Sequence, residues 1–126
     1  MNNPNIKTDI SKAIHYLTLS ADQQYSDAQY VLGILYYENI YITRDTNKSL
    51  YYLKLSANQG NSKAQFYLGS IYFEDPSFED KAKSIYYFKL SASQHHISQF
   101  ILGTFYFFGC YLDQDFAKSY HYLLLS

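Results

Sequence analysis

The segment KSLYYLKLSANQ, residues 48–59, is one of four related copies in the 126-residue chain. The other copies are KAIHYLTLSADQ at 12–23, KSIYYFKLSASQ at 83–94 and a shorter KSYHYLLLS at 118–126. Their first lysines are 36, 35 and 35 residues apart. A regular period of this length is typical of stacked repeats, in which each unit buries its apolar face against the next.

A second segment recurs with the same period. It reads AQYVLG at 28–33, AQFYLG at 64–69 and SQFILG at 98–103, and a tyrosine follows each copy three residues later. The alanine (serine in the third copy), leucine and tyrosine positions step by four residues, which places them on one face of a helix. Each unit therefore consists of two predicted helices, and we call them helix A (AxxxLGxxY) and helix B (DxxKxxxYxxxSA).

Helix B carries an apolar stripe at positions i, i+3 and i+7, which predicts a buried face. The stripe reads Ile14, Leu17, Ala21, then Leu50, Leu53, Ala57, then Ile85, Phe88, Ala92. An aspartate precedes the repeated lysine by three residues in every copy. Aspartate accepts hydrogen bonds from the first free N–H groups of a helix, so we expect four N-caps. These caps are Asp9, Asp45, Asp80 and Asp115.

Gly33, Gly69 and Gly103 lie inside the predicted A helices. A glycine in a helix interior costs about 1 kcal/mol relative to alanine. Its recurrence at one repeat position predicts a close approach between two helices. The expected counterparts are the small pairs of the B helices, Ser20-Ala21, Ser56-Ala57 and Ser91-Ala92.

These residues resemble a Sel1-like repeat array, a relative of the tetratricopeptide repeats. The residues that match the family pattern are Ala28, Leu32, Gly33, Tyr36, Asp45, Lys48, Tyr52 and Ala57, then Ala64, Leu68, Gly69, Tyr72, Asp80, Lys83, Tyr87 and Ala92, then Leu102, Gly103, Tyr106, Gly109, Asp115, Lys118 and Tyr122. The departures are Ser98 in place of alanine, His95 in place of the turn glycine that Gly60 supplies, the missing inter-helix glycine in the first two units, and serine for the first alanine of each Ala-Ala pair.

The resemblance implies an all-α fold, a right-handed α-solenoid of antiparallel helix pairs. Within it we expect an N-terminal tail at 1–8, a leading helix at 9–24 and three repeats at about 25–60, 61–94 and 95–126. The last helix is unfinished, and terminal repeats normally carry a polar cap. This indicates either a fragment of a longer array or a short product without a cap.

Composition argues against several classes of function. The net charge is −1 and the ten Lys and Arg residues are spread along the chain, so no basic face for nucleic acid is expected. No stretch of about 18 apolar residues is present, so no membrane insertion is expected. The first residues lack the apolar region of a signal peptide. The single Cys110 cannot form an internal disulfide, which is typical of a cytoplasmic protein.

No set of residues predicts catalysis, a metal site or a cofactor. His95 and His96 are adjacent, and neighbouring residues on a helix diverge too far to bind one metal together, so a polar turn is expected. His15 and His121 occupy a repeat position that also accepts tyrosine, which indicates packing or surface. Cys110 has no activating partner in its turn. Four acidic residues, Glu74, Asp75, Glu79 and Asp80, are expected to form a solvated turn with a helix cap.

By similarity to tetratricopeptide arrays, helix A lines the concave face and binds a partner. The expected partner-binding residues are Asp27, Tyr30, Ile34, Tyr37 and Glu38 in the first unit, Lys63, Phe66, Ser70, Phe73 and Glu74 in the second, and Ile97, Phe100, Thr104, Phe107 and Phe108 in the third. Aromatic side chains are favoured anchors of protein interfaces. The alternative is that these rings pack against the next repeat and belong to the core.

The resulting functional prediction is a non-enzymatic scaffold or adaptor that binds a peptide or a partner helix. A different class stays open, in which the chain is a repeat segment of a larger signalling enzyme such as a protein kinase. A repeat hydrolase fits less well, because Sel1-like proteins with such claims carry paired cysteines in each unit. Self-association through the unfinished C-terminal helix, with its three leucines Leu123, Leu124 and Leu125, is also predicted.

Overall fold

The computed structural model describes residues 5–126, and within this range all regular structure is α-helical. The seven helices are α1 (Ile6–Asp22), α2 (Ser26–Glu38), α3 (Thr46–Asn58), α4 (Ser62–Glu74), α5 (Lys81–Ser91), α6 (His96–Phe108) and α7 (Phe116–Leu125). Helices α2, α4 and α6 are the predicted A helices, and α1, α3, α5 and α7 are the predicted B helices. The predicted all-α class is confirmed.

The leading helix differs from its prediction at both ends. It begins at Ile6 and ends at Asp22, whereas we expected 9–24 after a tail at 1–8. Asp9 therefore lies in the first turn of α1 and does not cap it, so this one of the four predicted caps is wrong. Asn5 occupies the N-cap position without a side-chain capping bond. Residues 1–4 of the predicted tail lie outside the described residues.

The helices form two compact units. Unit 1 extends to Asn61 and contains α1, α2 and α3; unit 2 covers Ser62–Ser126 and contains α4, α5, α6 and α7. In unit 1, the first half of α3 lies beside the second half of α2, since Ser49 Oγ donates to the Gly33 carbonyl (2.6 Å). The end of α3 meets the start of α2, since Ser56 Oγ donates to the Ser26 carbonyl (2.9 Å). These two helices are therefore antiparallel.

Unit 2 repeats this arrangement. Ser84 Oγ of α5 donates to the Gly69 carbonyl of α4 (2.7 Å), and Ser91 Oγ donates to the Ser62 carbonyl (2.9 Å). Helix α7 packs on α6 as α5 packs on α4. The serines that follow Lys48 and Lys83 thus connect the two helices of their pairs, a role that the sequence analysis did not assign.

The predicted apolar stripes form the core. Leu53 and Phe88 of the B helices are almost fully buried, as are Leu32, Leu68 and Leu102 of the A helices. Several buried polar side chains join them in the interior, among them Ser49, Ser84 and Gln29. Each of these three side chains makes a hydrogen bond, as a buried polar group requires.

The glycines mark close approaches, as predicted, but with different counterparts. A Cβ atom on Gly33 would lie 2.5 Å from Leu53 Cγ, and one on Gly69 would lie 2.8 Å from the Phe88 ring. On Gly103 it would lie 2.7 Å from Leu123 Cγ. The small Ser-Ala pairs were therefore the wrong counterparts. Large side chains from the middle of helix B fill the space that each glycine leaves.

One set of contacts closes every A-to-B connection. The aspartate N–H donates to the carbonyl of the helix-A tyrosine, at 2.9 Å for Asp45 and 2.8 Å for Asp80. The aspartate Oδ1 then accepts from the backbone N–H of the repeated lysine at 3.0 Å, so the caps at Asp45, Asp80 and Asp115 are confirmed. The repeated tyrosines of helix A and helix B stack, with ring centroids 6.1, 6.0 and 5.9 Å apart in Tyr36–Tyr52, Tyr72–Tyr87 and Tyr106–Tyr122.

The B-to-A turns are of two kinds. Gln24 and Gly60 adopt positive φ angles of 66° and 88° in the first two turns. The third turn brings His95 to the N-cap of α6 with a φ of −122°. His95 therefore does not substitute for the turn glycine, because this turn contains no left-handed residue.

Candidate functional site

The candidate site consists of the outward faces of the A helices, which we call the helix-A surface. In unit 1, Asp27 and Glu38 are exposed, whereas Tyr30, Ile34 and Tyr37 are half-buried. The Tyr37 ring is covered in part by the guanidinium of Arg44, whose Cζ lies 4.2 Å from the ring centroid. Arg44 Nε also donates to the Tyr37 carbonyl (2.9 Å), so this ring is held in place.

In unit 2, helix α4 presents a mixture of site and core. Lys63 and Glu74 are exposed, while Phe66, Ser70 and Phe73 are half-buried. Phe73 stacks on Phe105 of α6 with centroids 5.8 Å apart. The alternative that these rings pack against the next repeat is therefore correct in part for Phe66 and Phe73, which also keep an accessible side.

Helix α6 presents the most open part of the helix-A surface. Phe100 is 58% exposed and Phe107 is 45% exposed, and Ile97 and Phe108 are exposed as well. Thr104 is half-buried, and its hydroxyl donates to the Phe100 carbonyl of its own helix. Four apolar side chains of α6 thus keep exposed area, and Phe107 also contacts Phe116 of α7 with ring centroids 5.6 Å apart.

A small apolar cleft opens between α4, α5 and α6, and we call it the phenylalanine cleft. Its volume is about 200 Å³. Four of its lining residues are predicted site residues, Phe66, Ser70, Phe73 and Glu74. Ligand pockets for drug-sized molecules have roughly 300–1,000 Å³, so this cleft fits a single side chain better than a cofactor.

The rest of the cleft lining was not predicted. Phe88 of α5 forms part of it, together with Ile101 and Phe105 of α6. Phe88 belongs to the predicted core stripe of helix B, and the other two residues lie beside the predicted stripe of helix A. Their spacing along the sequence does not predict that they line the cleft, because this position depends on how α6 is rotated against α4.

His95 lies beside Phe66, one of the residues that line the cleft. Its ring stacks on Phe66 with centroids 4.6 Å apart, and its Nδ1 lies 3.4 Å from Ser98 Oγ. Burial lowers the pKa of His95, and the positive charges of His96 and Lys63 lower it further. The neutral imidazole is therefore the favoured form in the folded chain.

The acidic residues between α4 and α5 make contacts that stabilise the turn. Asp80 caps α5, Glu79 pairs with Lys81 (3.4 Å) and Asp75 Oδ1 accepts from the Ser77 N–H, so the acidic residues form a capped turn as expected. Cys110 is exposed and carries a free thiol. Across residues 5–126, no three His, Cys, Asp or Glu side chains come together in a way that could hold a metal ion.

Comparison with known proteins agrees with this architecture. The Sel1 repeat profile matches residues 4–25, 26–61, 62–96 and 96–126. A solved Sel1 repeat protein from Oxalobacter formigenes is similar over 88% of this chain and 86% of its own, with a TM-score of 0.79 and 18% identity. A search of curated protein sequences gave no significant match.

A second solved structure is more similar in sequence. It is a protective antigen present in uropathogenic Escherichia coli strains, described as displaying an SLR fold. The identity is 29% over 88% of this chain, with a TM-score of 0.80. The chain spans only 24% of that antigen's length.

No helix within residues 5–126 has both the length and the apolar character needed to cross a membrane.

The fold is that of helical repeat proteins solved before, and the predicted resemblance is confirmed. Because the four profile matches together cover residues 4–126, the chain belongs to the Sel1 repeat family.

Proposed function

We propose that this chain is a non-enzymatic interaction module that binds an apolar segment of a partner polypeptide on its helix-A surface. Sel1 repeat proteins generally act as scaffolds for protein–protein interaction, and the exposed aromatic side chains here fit that role. The cytoplasmic location suggested by the single Cys110 is part of this proposal.

The observation that carries the proposal is the phenylalanine cleft. The cleft has a volume of about 200 Å³, and four of the residues that line it were predicted from the repeat pattern to bind a partner. Burying one leucine, methionine or phenylalanine side chain there would contribute roughly 1.5–3 kcal/mol to binding. Phe100 and Phe107 of α6 add exposed apolar side chains on the same unit, and aromatic residues are enriched at protein interfaces.

Glu74 places a negative charge at one edge of the cleft. Its carboxylate lies at the edge of the cleft and is exposed. A partner with a lysine or arginine next to the inserted apolar residue would place its charge near this carboxylate. Such a rim charge sets register and association rate more than affinity.

The test is capture of partners from cell lysate with the wild-type chain and with a Phe100→Glu/Phe107→Glu variant. Both side chains are exposed, so the variant is expected to keep the helical circular dichroism of the wild type. The proposal predicts a partner that the wild type retains and the variant loses. Truncating Phe66 is less informative, because its ring also packs on Phe88 with centroids 6.0 Å apart.

The matched control is Tyr51→Glu/Tyr86→Glu on the B helices. These tyrosines are about as exposed as Phe100, at 59% and 57%, and the charge change is the same. Retention of the partner by this control, with loss from the α6 variant, supports the helix-A surface. Loss of the partner from the control alone would contradict the proposal and point to the B helices.

A further inference from the structure

Three unlike side chains make the same contact in the three A-to-B connections. Each donates a hydrogen bond to the carbonyl of the residue that follows the helix-A tyrosine. The donors and the residues whose carbonyls accept are Arg44 Nε with Tyr37 (2.9 Å), Lys81 Nζ with Phe73 (2.8 Å) and Gln114 Nε2 with Phe107 (3.0 Å). These carbonyls lie in the last turn of helix A, where the helix itself supplies no N–H donor. The contact therefore caps the C-terminal end of each A helix.

In unit 2, the first of these contacts comes from a different repeat position. Arg44 and Gln114 stand immediately before the capping aspartate of their connection, whereas Lys81 stands immediately after Asp80. Glu79 occupies the position of Arg44, but a carboxylate side chain has no N–H to donate. It pairs with Lys81 at 3.4 Å instead. The connection between α4 and α5 thus obtains the same bond from the other side of its cap.

Lys81 does more than cap the end of α4. Its Nζ lies 3.6 Å from the centroid of the Phe73 ring and 5.3 Å from that of Tyr111, which belongs to the connection between α6 and α7. A cation over an aromatic ring is attracted by the negative face of the ring. One ammonium group therefore holds Phe73 and links α4 to the residues that follow α6.

Tyr111 makes its contacts from an unusual backbone conformation. Its φ angle is 64°, in the left-handed region that residues other than glycine, asparagine and aspartate rarely adopt. Its ring nevertheless packs edge to face with the rings of Phe73 and Phe105, with 5.2 Å between centroids in both pairs. A residue in such a conformation persists only where its surroundings hold it, and residues of this kind cluster at binding sites.

We propose that Lys81 and Tyr111 are positioning residues that hold the wall of the phenylalanine cleft ready for a partner. Phe73 and Phe105 both line the cleft, and their rings stack with centroids 5.8 Å apart. Rings that are fixed before the partner arrives lose less conformational entropy on binding. The inference rests on the proposed function for the use of the cleft, but the placement of Phe73 can be measured without a partner.

The experiment replaces Phe73 by 4-fluorophenylalanine in the full chain and records its fluorine NMR signal. The wild type should give one narrow signal, from a single ring placement. Lys81→Gln keeps a donor for the carbonyl, as Gln114 does, but removes the charge, so the signal should broaden or split. Lys81→Arg keeps both the donor and the charge, as Arg44 does, and should keep the signal narrow.

A second variant and a matched control accompany the lysine series. Tyr111→Asn removes the ring, while asparagine tolerates the left-handed backbone, and it should also broaden the signal. The control Lys83→Gln removes the same charge from α5, but the Lys83 Nζ lies over Tyr72 (5.3 Å), outside the lining of the cleft. The signal should stay narrow in this control. Circular dichroism should show the same helix content in every variant.

Toluene is the probe for the cleft itself, because it is an apolar ring small enough for a space of about 200 Å³. Its affinity, read from the fluorine signal, should fall roughly two- to fivefold in Lys81→Gln, as expected for loss of a partly exposed cation–π contact, and stay within about twofold in Lys81→Arg.

Two results would overturn the inference. One is a fluorine signal that stays narrow in Lys81→Gln and Tyr111→Asn, and the other is a toluene affinity that is equal in the wild type and Lys81→Gln. A failure of the proposed function looks different. If the signal broadens as expected but no chain binds toluene, the positioning of Phe73 is supported and the use of the cleft for an apolar side chain is contradicted.

Discussion

At the scale of single residues, each repeat depends on a few side chains whose contacts recur almost unchanged. The capping bond from the lysine N–H to the aspartate is 3.0 Å long in all three connections. The Nζ atom of that lysine lies 5.2, 5.3 and 5.4 Å from the centroid of the helix-A tyrosine in the three units. These contacts explain why aspartate, lysine and tyrosine recur together in the sequence.

The helix-A glycines give the first prediction. Gly69→Ala would place a methyl group 2.8 Å from the Phe88 ring, which is buried and has little room to move. Overpacking of this kind typically costs about 1–3 kcal/mol, and the better helix propensity of alanine offsets up to about 1 kcal/mol. We expect a lower free energy of unfolding in urea. Ser70→Ala, the next residue on α4, serves as control and should change it little; equal effects of the two would contradict the account.

His95 gives a prediction about pH. Because the pKa of His95 is lowered in the folded chain, folding favours the neutral ring. The stability that depends on neutral His95 is complete above about pH 6.5, where an unperturbed histidine titrates. It is lost progressively as the pH falls below that value towards the lowered pKa of the folded chain.

The measurement compares wild type with His95→Gln in urea at about pH 7.5 and about pH 5, on either side of the unperturbed histidine pKa. Carboxylates titrate alike in both chains, so their effect cancels in the difference. The wild type should lose stability relative to the variant at the lower pH. A difference that is the same at both pH values would show that His95 protonation does not affect folding.

At the scale of helices, the buried serines that follow Lys48 and Lys83 join the two helices of their pairs. Ser84 Oγ is bonded to the Gly69 carbonyl at 2.7 Å. Ser119 occupies the same position in α7 and is equally buried, but its Oγ has no partner within the described residues. The last pair therefore lacks one bond that the earlier pairs have.

A matched pair of substitutions tests this difference. Ser84→Ala should destabilise the chain by about 1 kcal/mol, the usual net contribution of such a bond. Ser119→Ala should have an effect near zero or slightly stabilising, since it removes an unsatisfied hydroxyl. Free energies of unfolding from denaturant titration decide between these outcomes. Equal losses in both variants would mean that Ser119 is bonded after all.

Helices were predictable where local chemistry decides them. The caps at Asp45, Asp80 and Asp115 follow from short-range bonds, and the four-residue steps of helix A fix its buried face. The prediction that Asp9 caps α1 was wrong, because α1 begins one turn earlier, at Ile6. The partners of the glycines could not be predicted, since Leu53 and Phe88 reach them only through the rotation of helix B against helix A.

At the scale of the whole molecule, the repeat period predicted the fold. Which aromatic side chains are exposed could not be predicted, because it depends on three-dimensional packing. Phe66 and Phe73 belong partly to the core because α6 covers one side of them, and the equivalent Phe100 and Phe107 are exposed. The repeat pattern treats these four residues alike. The burial of each ring therefore depends on which helices pack beside it.

Self-association is a prediction at this scale. Leu124 and Leu125 are 67% and 47% exposed on α7, so a second copy would gain by covering them. Sedimentation velocity should show a larger species as the concentration rises into the high micromolar range. Leu124→Glu should restore the monomer. A wild type that stays monomeric throughout would refute the prediction.

The most direct test of the central claim is site-specific photo-crosslinking in cell lysate. A benzoylphenylalanine would replace Phe73 in the phenylalanine cleft, Phe107 on the open face of α6, or, as control, the exposed Tyr86 on α5. We predict that one and the same partner polypeptide crosslinks to positions 73 and 107 and not to position 86. Crosslinks from position 86 alone, or none from positions 73 and 107, would contradict the assignment of the helix-A surface as the binding site.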